Sequence, residues 1–295
     1  MLSLQHIKNS NKAISKNLSI EIAIRTDGNM IEITQKEFTR LVDYLKNNYG
    51  IDLSKKKQLI EGRLYNTLVK NGFTNFSDYI DFVLKNEKTE IEQIINKLTT
   101  NHTYFMRESS HFDIFKKLVL PTLENRKRNK TLGVWSAGCS SGQEPYTLSM
   151  ILKDHFMNKP GWDTRVLATD ISHNAMERAE KGEYDAEGME DVPAVWKSKY
   201  FTKSGNKYTV TKEMRDNVIF REFNLMNPIN FKIQFDVIFC RNVMIYFDQP
   251  TKNALIRRFY DATLPGGYLF IGHSETIDKN INPYKYLDGA AYIRS

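Results

Sequence analysis

Two carboxylates and a run of small residues carry the first chemical signal in this chain. The run Ser136-Ala137-Gly138-Cys139-Ser140-Ser141-Gly142 follows an apolar stretch and leads into Glu144-Pro145. Small residues let a backbone approach a ligand closely. Pro145 suits the first turn of a helix, where its missing N–H costs nothing. Asp170 follows Gly142 by 28 residues and ends a second apolar stretch. An acid at that point accepts hydrogen bonds from ribose hydroxyls in dinucleotide and adenosyl sites. Turn plus acid admits NAD, FAD and S-adenosylmethionine. The turn lacks a G-x-G-x-x-G string, which argues against a dinucleotide, and G-x-x-x-x-G-K-[ST] is absent, which argues against an NTPase. S-adenosylmethionine has no pyrophosphate, and a shorter glycine turn is enough for it.

The elements that must position these residues follow from the hydrophobic pattern. From 131 onward, strands are expected at 132–135, 165–168, 218–223, 235–240 and 268–272. Helices are expected between them at 146–156, 174–181 and 251–262, with Ser172 capping the second and a turn at 264–267. Such alternation predicts a mostly parallel sheet covered on both faces. Ligands then bind beyond the carboxyl ends of the strands, which brings together 138–144, Asp170, Asn224-Leu225 and Arg241-Asn242. A hairpin around Ser204-Gly205-Asn206 interrupts the alternation.

The first third of the chain reads differently. Phe38, Leu41, Val42, Leu45 and Tyr49 recur at helical spacing, and Gly50 ends that segment. A second helix is expected between a Ser54 cap and Gly72, and a third over 77–85. A fourth is expected from a Thr89/Glu92 capping box. Residues 98–112 are polar and aromatic where a plain linker would be bland, and Asn101, Thr103 and Arg107 can face a ligand. A further helix, with Phe112, Phe115, Leu118 and Val119 as its apolar side, leads to Pro121. The expected layout is an extension over 1–34 (a hairpin or a loose segment), a helical domain over 35–100 and a linker over 101–130. An α/β domain follows over 131–295, with an inserted hairpin at about 196–216.

Composition limits the class. The 295 residues are 41% hydrophobic and 26% charged, with net charge +7, which suits a globular chain with a real core. No apolar run reaches the roughly 20 residues needed to span a bilayer, and the N-terminus lacks the apolar segment of a signal peptide. Basic residues are spread among acids rather than gathered with exposed aromatics, so nucleic acid is not the expected partner. Two cysteines, Cys139 and Cys240, are too few for a disulfide framework or a four-ligand zinc site. No metal site is expected, and both thiols read as small packing residues. His102 and His273 attract notice; His273, after an apolar strand, reads as a supporting residue.

Four ordered motifs make the reading specific. VWSAGCSSGQEPY, ATDIS, FCRNVMIYFD and IGHSE follow a helical region ending in LTTNHTYFMRE. Together they closely resemble the CheR family, chemotaxis receptor methyltransferases that transfer methyl from S-adenosylmethionine to receptor glutamates. The resemblance spans roughly 35–295. It implies an α/β, Rossmann-like S-adenosylmethionine-dependent methyltransferase domain with an N-terminal all-helical domain and a small inserted β-hairpin subdomain. In this chain no acid precedes the glycine turn, and Glu144 after it supplies the carboxylate. The insert turn is also shorter than in members that hold a receptor C-terminal peptide.

The resemblance implies roles residue by residue. Asn101, Thr103 and Arg107 line the cofactor and substrate side of the linker. Gly138 belongs to the turn; Glu144 and Asp170 hold the amino-acid and ribose parts of the cofactor. Asn224 and Leu225 contact the adenine region, and Arg241 and Asn242 complete the wall. Arg107 and Tyr246 stand nearest the transferred methyl, and S-adenosylhomocysteine is the product. The implied partners are cytoplasmic helices of methyl-accepting chemotaxis receptors, met by a cytoplasmic monomer recruited to them without inserting into the membrane. A methyltransferase for RNA or a small molecule and a non-catalytic cofactor-binding scaffold are the other readings. The absence of N-P-P-Y argues against methylation of amino groups.

Residues 36–72 hold eight Lys/Arg against four Asp/Glu. Lys56, Arg63 and Lys70 are spaced by seven, which drifts only about 20° around a helix. This stripe is either a solvated face or a docking face for the acidic receptor helix. If it docks the receptor, reversing all three charges raises KM for receptor and leaves cofactor affinity unchanged; unaltered receptor kinetics would refute that role.

Overall fold

The computed structural model describes residues 31–99, 102–278 and 283–295. The expected hairpin or extension at the N-terminus therefore falls almost wholly outside the described residues, as does Asn101.

The helical domain holds α1 (Gln35–Tyr49), α2 (Lys57–Lys70), α3 (Phe76–Lys85) and α4 (Glu87–Leu98). In α1, Thr34 and Glu37 close a capping box, and Phe38, Leu41, Val42 and Leu45 are buried. Gly50 ends the helix at φ 73. A Cβ there would meet Met226 Sδ at 2.7 Å, so the glycine serves both the left-handed turn and the contact with the second domain. Two expected starts are corrected. Lys56, not Ser54, occupies the cap of α2 and makes no side-chain cap bond. Helix α4 begins before Thr89, at Glu87, and the Glu92 carboxylate is used elsewhere.

The connection contains α5 (Ser109–Ile114), a π-helical turn (Phe115–Val119) and α6 (Leu120–Arg126). The π-turn inserts one extra residue into the helical period. Phe115 and Val119 stay buried while Leu118 is left 45% exposed, against its expected place on the apolar side.

The α/β domain runs through β1 (Val134–Ala137), α7 (Gln143–Phe156), β2 (Val166–Asp170), α8 (His173–Lys181), β3 (Glu183–Asp185), α9 (Ala194–Tyr200), β4 (Phe201–Ser204), β5 (Lys207–Val210), α10 (Lys212–Asp216), β6 (Val218–Glu222), β7 (Phe235–Cys240), α11 (Gln249–Ala262), β8 (Thr263–Ile271), β9 (Lys285–Asp288) and β10 (Ala291–Ile293). Among the described residues the main sheet has the order β6-β2-β1-β7-β8-β10-β9. Its first five strands are parallel, and β10 and β9 close the edge antiparallel. The chain leaves β1 toward β2 and β6 and returns on the other side at β7. The crevice beyond the ends of β1 and β7 is therefore a topological switch point, the usual ligand site of such sheets. The expected turn at 264–267 instead lies within β8, where the register with β7 shifts. The inserted hairpin β4–β5 gains a third strand, β3, in a separate antiparallel sheet.

Strand β1 shows how the sheet serves both layers. Val134 packs toward α7 and the connection helices, while Trp135 and Ala137 pack toward α11. Trp135 is fully buried, edge-on to Phe231 and Phe259, and its Nε1–H donates to Thr169 Oγ1 at 2.9 Å. All of β7 is buried, as expected for a central parallel strand covered on both faces.

Short ties join the two domains. Lys46 pairs with Asp248 at 2.7 Å, and Asp52 N–H donates to the Tyr246 carbonyl at 2.8 Å. Glu92 reaches across from α4 to accept from Ser172 Oγ at 2.7 Å and Asn174 N–H at 2.9 Å, at the start of α8. Ser172 is itself the α8 cap, accepting from Ala175 N–H. Glu92→Ala removes two bonds from that helix start, about 1–2 kcal/mol. The thermal midpoint is expected to fall by several degrees (about 2–4 °C per kcal/mol); an unchanged midpoint would show the tie to be idle.

Candidate active site

The first β-α turn is shaped by two glycines with positive φ. Gly138 has φ 84, and a Cβ there would lie 2.3 Å from Val243 Cγ2. Gly142 has φ 94 and caps α7. Asp170 fastens the turn: its Oδ2 accepts from Ser140 N–H at 2.7 Å, and its Oδ1 from Ser172 N–H at 3.0 Å. Burial pushes the Asp170 carboxyl above its ordinary value, and these backbone donors pull it back. Cys139 and Cys240 are buried, and burial holds both thiols well above the usual range.

One cavity lies against this turn. Gly138, Glu144 and Asp170 line it from the strand ends. Thr103 and Arg107 line it from the linker, and Asn224, Leu225, Arg241, Asn242 and Tyr246 from the far side. Every expected pocket residue within the described part is thus brought to one place. Lys56, Arg63 and Lys70 lie elsewhere, exposed on the helical domain. Lys56 has non-helical backbone, and Arg63 donates to the Lys97 and Leu98 carbonyls. That guanidinium caps the C-terminus of α4, a structural use that spacing did not reveal.

Several side chains in the cavity are already engaged. Arg241, its side chain 3% exposed, is held between Glu144 Oε2 at 2.9 Å and Glu108 Oε2 at 3.1 Å. It also donates to the Arg107 carbonyl and lies over the Phe112 ring, 5.1 Å from its centroid. Glu144 Oε1 accepts from Ser136 Oγ at 2.6 Å. Arg107 Nη1 donates to the His102 carbonyl. Asn224 Nδ2 donates to the Asn48 carbonyl at 2.8 Å, tying the cavity wall to α1. Asn242 sits at φ 60 and donates from Nδ2 to Glu108 Oε1 at 3.1 Å.

Sequence reasoning did not assign several other contributors to the site. Tyr49, Ile51 and Ile95 of the helical domain line the cavity; nothing local to them signals it. Glu108 adjoins Arg107, and that adjacency was its signal. Burial opposes ionisation of Glu108, but the Asn242 amide and the Arg241 guanidinium hold its carboxyl below the ordinary value.

Glu108, His111 and His273 also bring one ligand-type atom each within 4.8 Å of one another. Sequence spacing did not reveal this group. Both Glu108 oxygens are bonded to Arg241 and Asn242, so the group works as a hydrogen-bond network around the linker. His111 is fully buried, with Nε2 2.6 Å from the Gly289 carbonyl. His273 Nε2 meets Ser110 Oγ at 3.1 Å.

The cavity fits an adenosyl ligand. Carboxylates can meet an ammonium and a ribose, while Ile171, Phe223 and Leu225 offer apolar surface to a base. At Gly138 the place of a Cβ is taken by the Val243 side chain, so the glycine lets the loop after β7 close against the turn. Sheet order, glycine turn and strand-end acid are those an S-adenosylmethionine-dependent methyltransferase needs. Comparison with known proteins narrows this further: residues 36–99 match "CheR methyltransferase, all-alpha domain" and residues 101–293 match "CheR methyltransferase, SAM binding domain". The chain belongs to the CheR methyltransferase family. A protein of Borreliella burgdorferi named chemotaxis protein methyltransferase is 43% identical over 90% of this chain and 96% of its own length. One of the same name from Escherichia coli is 34% identical over 83% and 86%. Chemotaxis protein methyltransferase 2 of Vibrio cholerae is 31% identical over 85% and 89%. No helix among the described residues is long and apolar enough to cross a membrane.

Burial, with Arg241 and His273 nearby, lowers His111 from 6.5 to about 4. Between those values the unfolded chain binds the extra proton, so this residue makes stability rise with pH from 4 to 6.5 and flatten above. Each unit of difference is worth about 1.4 kcal/mol. His111→Gln is expected to flatten the dependence of the thermal midpoint on pH over that window. Equal slopes in both proteins would show that His111 is not held neutral.

Proposed function

We propose that this chain transfers the methyl group of S-adenosylmethionine to glutamate side-chain carboxylates of chemotaxis receptors, leaving methyl esters and S-adenosylhomocysteine. One observation carries the reading: a single cavity, in a member of this family, combines two carboxylates for the cofactor with the guanidinium of Arg107 and the phenol of Tyr246. The names of the relatives support the chemotactic setting.

S-adenosylmethionine supplies a methyl already activated on a sulfonium. A receptor glutamate is ionised at neutral pH, with a reference pKa of about 4.3, so the enzyme needs no general base. Its task is to hold oxygen and methyl in line and to exclude water. Arg107 offers a planar fork to the incoming carboxylate. Tyr246 can hydrogen-bond beside the reacting atoms. Asp170 suits the ribose hydroxyls and Glu144 the ammonium. Asn224 and Leu225 suit the adenine, with Arg241, Asn242 and Thr103 completing the enclosure. The proposed enzyme works as a cytoplasmic monomer recruited to receptors. Lys56 and Lys70 are its docking cations for an acidic helix, with Arg63 shared between docking and the α4 cap.

The test uses labelled S-adenosylmethionine and receptor-containing membranes, followed by alkaline release of methanol. Base-labile label is expected, and alkali-stable label would sink the carboxylate reading. Arg107→Ala should lower turnover by roughly 100-fold or more while S-adenosylhomocysteine affinity, read by titration calorimetry, stays within about threefold. Equal losses in binding and turnover would instead assign Arg107 to the cofactor.

A further inference from the structure

The loop from Asn242 to Tyr246 carries two of the cavity's polar side chains and no regular helix beyond one 3-10 turn, Met244–Tyr246. Asn242 sits in the left-handed region at φ 60, which asparagine enters more readily than most residues with a side chain when its surroundings hold it there. What imposes it is a carboxylate that does not line the cavity. Glu275, 4% exposed, follows β8 and points back beneath the loop. Its Oε2 accepts from Asn242 N–H at 3.0 Å and Gly272 N–H at 2.6 Å, and its Oε1 from Ile245 N–H at 3.1 Å. Among the described residues no cation pairs with it; burial pushes its carboxyl above the ordinary value, and the backbone amides pull it back toward the ionised form. Such charge-assisted bonds are roughly twice as strong as neutral ones. Gly272 makes the approach possible, since a Cβ there would lie 2.6 Å from Asn242 Nδ2 and 3.0 Å from Glu275 Oε2.

We infer that Glu275 is a positioning residue for methyl transfer: it fixes the backbone of the 242–245 loop and thereby sets Asn242 and Tyr246 against the cavity. This rests on the reading of Tyr246 given above. A buried carboxylate kept only for stability would be an expensive choice, because an apolar core of the same shape needs no desolvation. A carboxylate serving several N–H donors on one loop does what an apolar side chain cannot, which is to specify that loop's path.

The experiment compares wild type with Glu275→Gln, and with Glu275→Asp should the glutamine variant fail to fold. Both are assayed as the full chain with receptor-containing membranes, and by hydrogen exchange with S-adenosylhomocysteine bound. Glutamine turns one acceptor into a donor facing backbone N–H groups. The expected result has three parts. Exchange of the 242–246 amides rises at least tenfold. Turnover falls by about 10- to 100-fold, the scale of an ångström-sized misplacement. Receptor KM stays within about threefold, and S-adenosylhomocysteine affinity falls by less than turnover does. Unchanged exchange would overturn the inference, and so would faster exchange with turnover within twofold of wild type. Failure of the function reading itself shows separately, as absence of base-labile ester in the wild-type reaction.

Discussion

The guanidinium of Arg241 is the contact on which this molecule depends. It leaves the end of β7 and is clamped between a carboxylate from α7, Glu144, and one from the linker, Glu108. An almost fully buried charge is tolerated only when paired and hydrogen-bonded, and removing one partner of such a pair commonly costs several kcal/mol. The constraint therefore runs both ways: wherever Arg241 sits, the linker and the first helix of the α/β domain must come to it. Glu108 also binds the Asn242 amide and the backbone of His273. One ion cluster thus gathers the linker, the turn after β1 and the loops after β7 and β8, which are the surfaces of the cavity.

The helical domain supplies a wall as well as a separate core. Its interior is built on Leu41, Leu45, Ile60, Leu64 and Ile94, with Tyr246 and Phe247 of the second domain packed against it. Its edge lines the cavity with Tyr49, Ile51 and Ile95, and three polar ties reach loops that carry cavity residues. Glu92 reaches Ser172, whose backbone N–H is held by Asp170. A disturbance of α4 therefore arrives at the cavity acid through two hydrogen bonds.

Much of this architecture was legible in the order of the residues. The parallel strands, the helix caps at Gly50 and Ser172 and the inserted hairpin all follow from local signals, because periodicity and turn chemistry act within a few residues. The misses have local causes too. The π-turn moved Leu118 off the apolar face, since one inserted residue breaks a period that counting assumes. Strands β9 and β10, four and three residues long, are too short to announce themselves; β10 pairs on the edge that β8 offers and β9 pairs on β10. Ser54 resembled a helix cap but its N–H donates to Asp52, one turn ahead of the helix.

The sequence by itself determined which residues stand past the strand ends, because a parallel sheet puts every such position on one side, and it determined the family through four ordered motifs. Only the tertiary structure decided what those residues do to one another. Glu144, given by the resemblance to the amino-acid end of the cofactor, also bonds Arg241 and Ser136. Arg63, read as one of three equivalent cations, caps a neighbouring helix. Glu108 and Glu275 stand in quoted motifs, yet their partners lie more than 130 and about 30 residues away. Long side chains find partners by distance in space, and no periodicity along the chain encodes that distance.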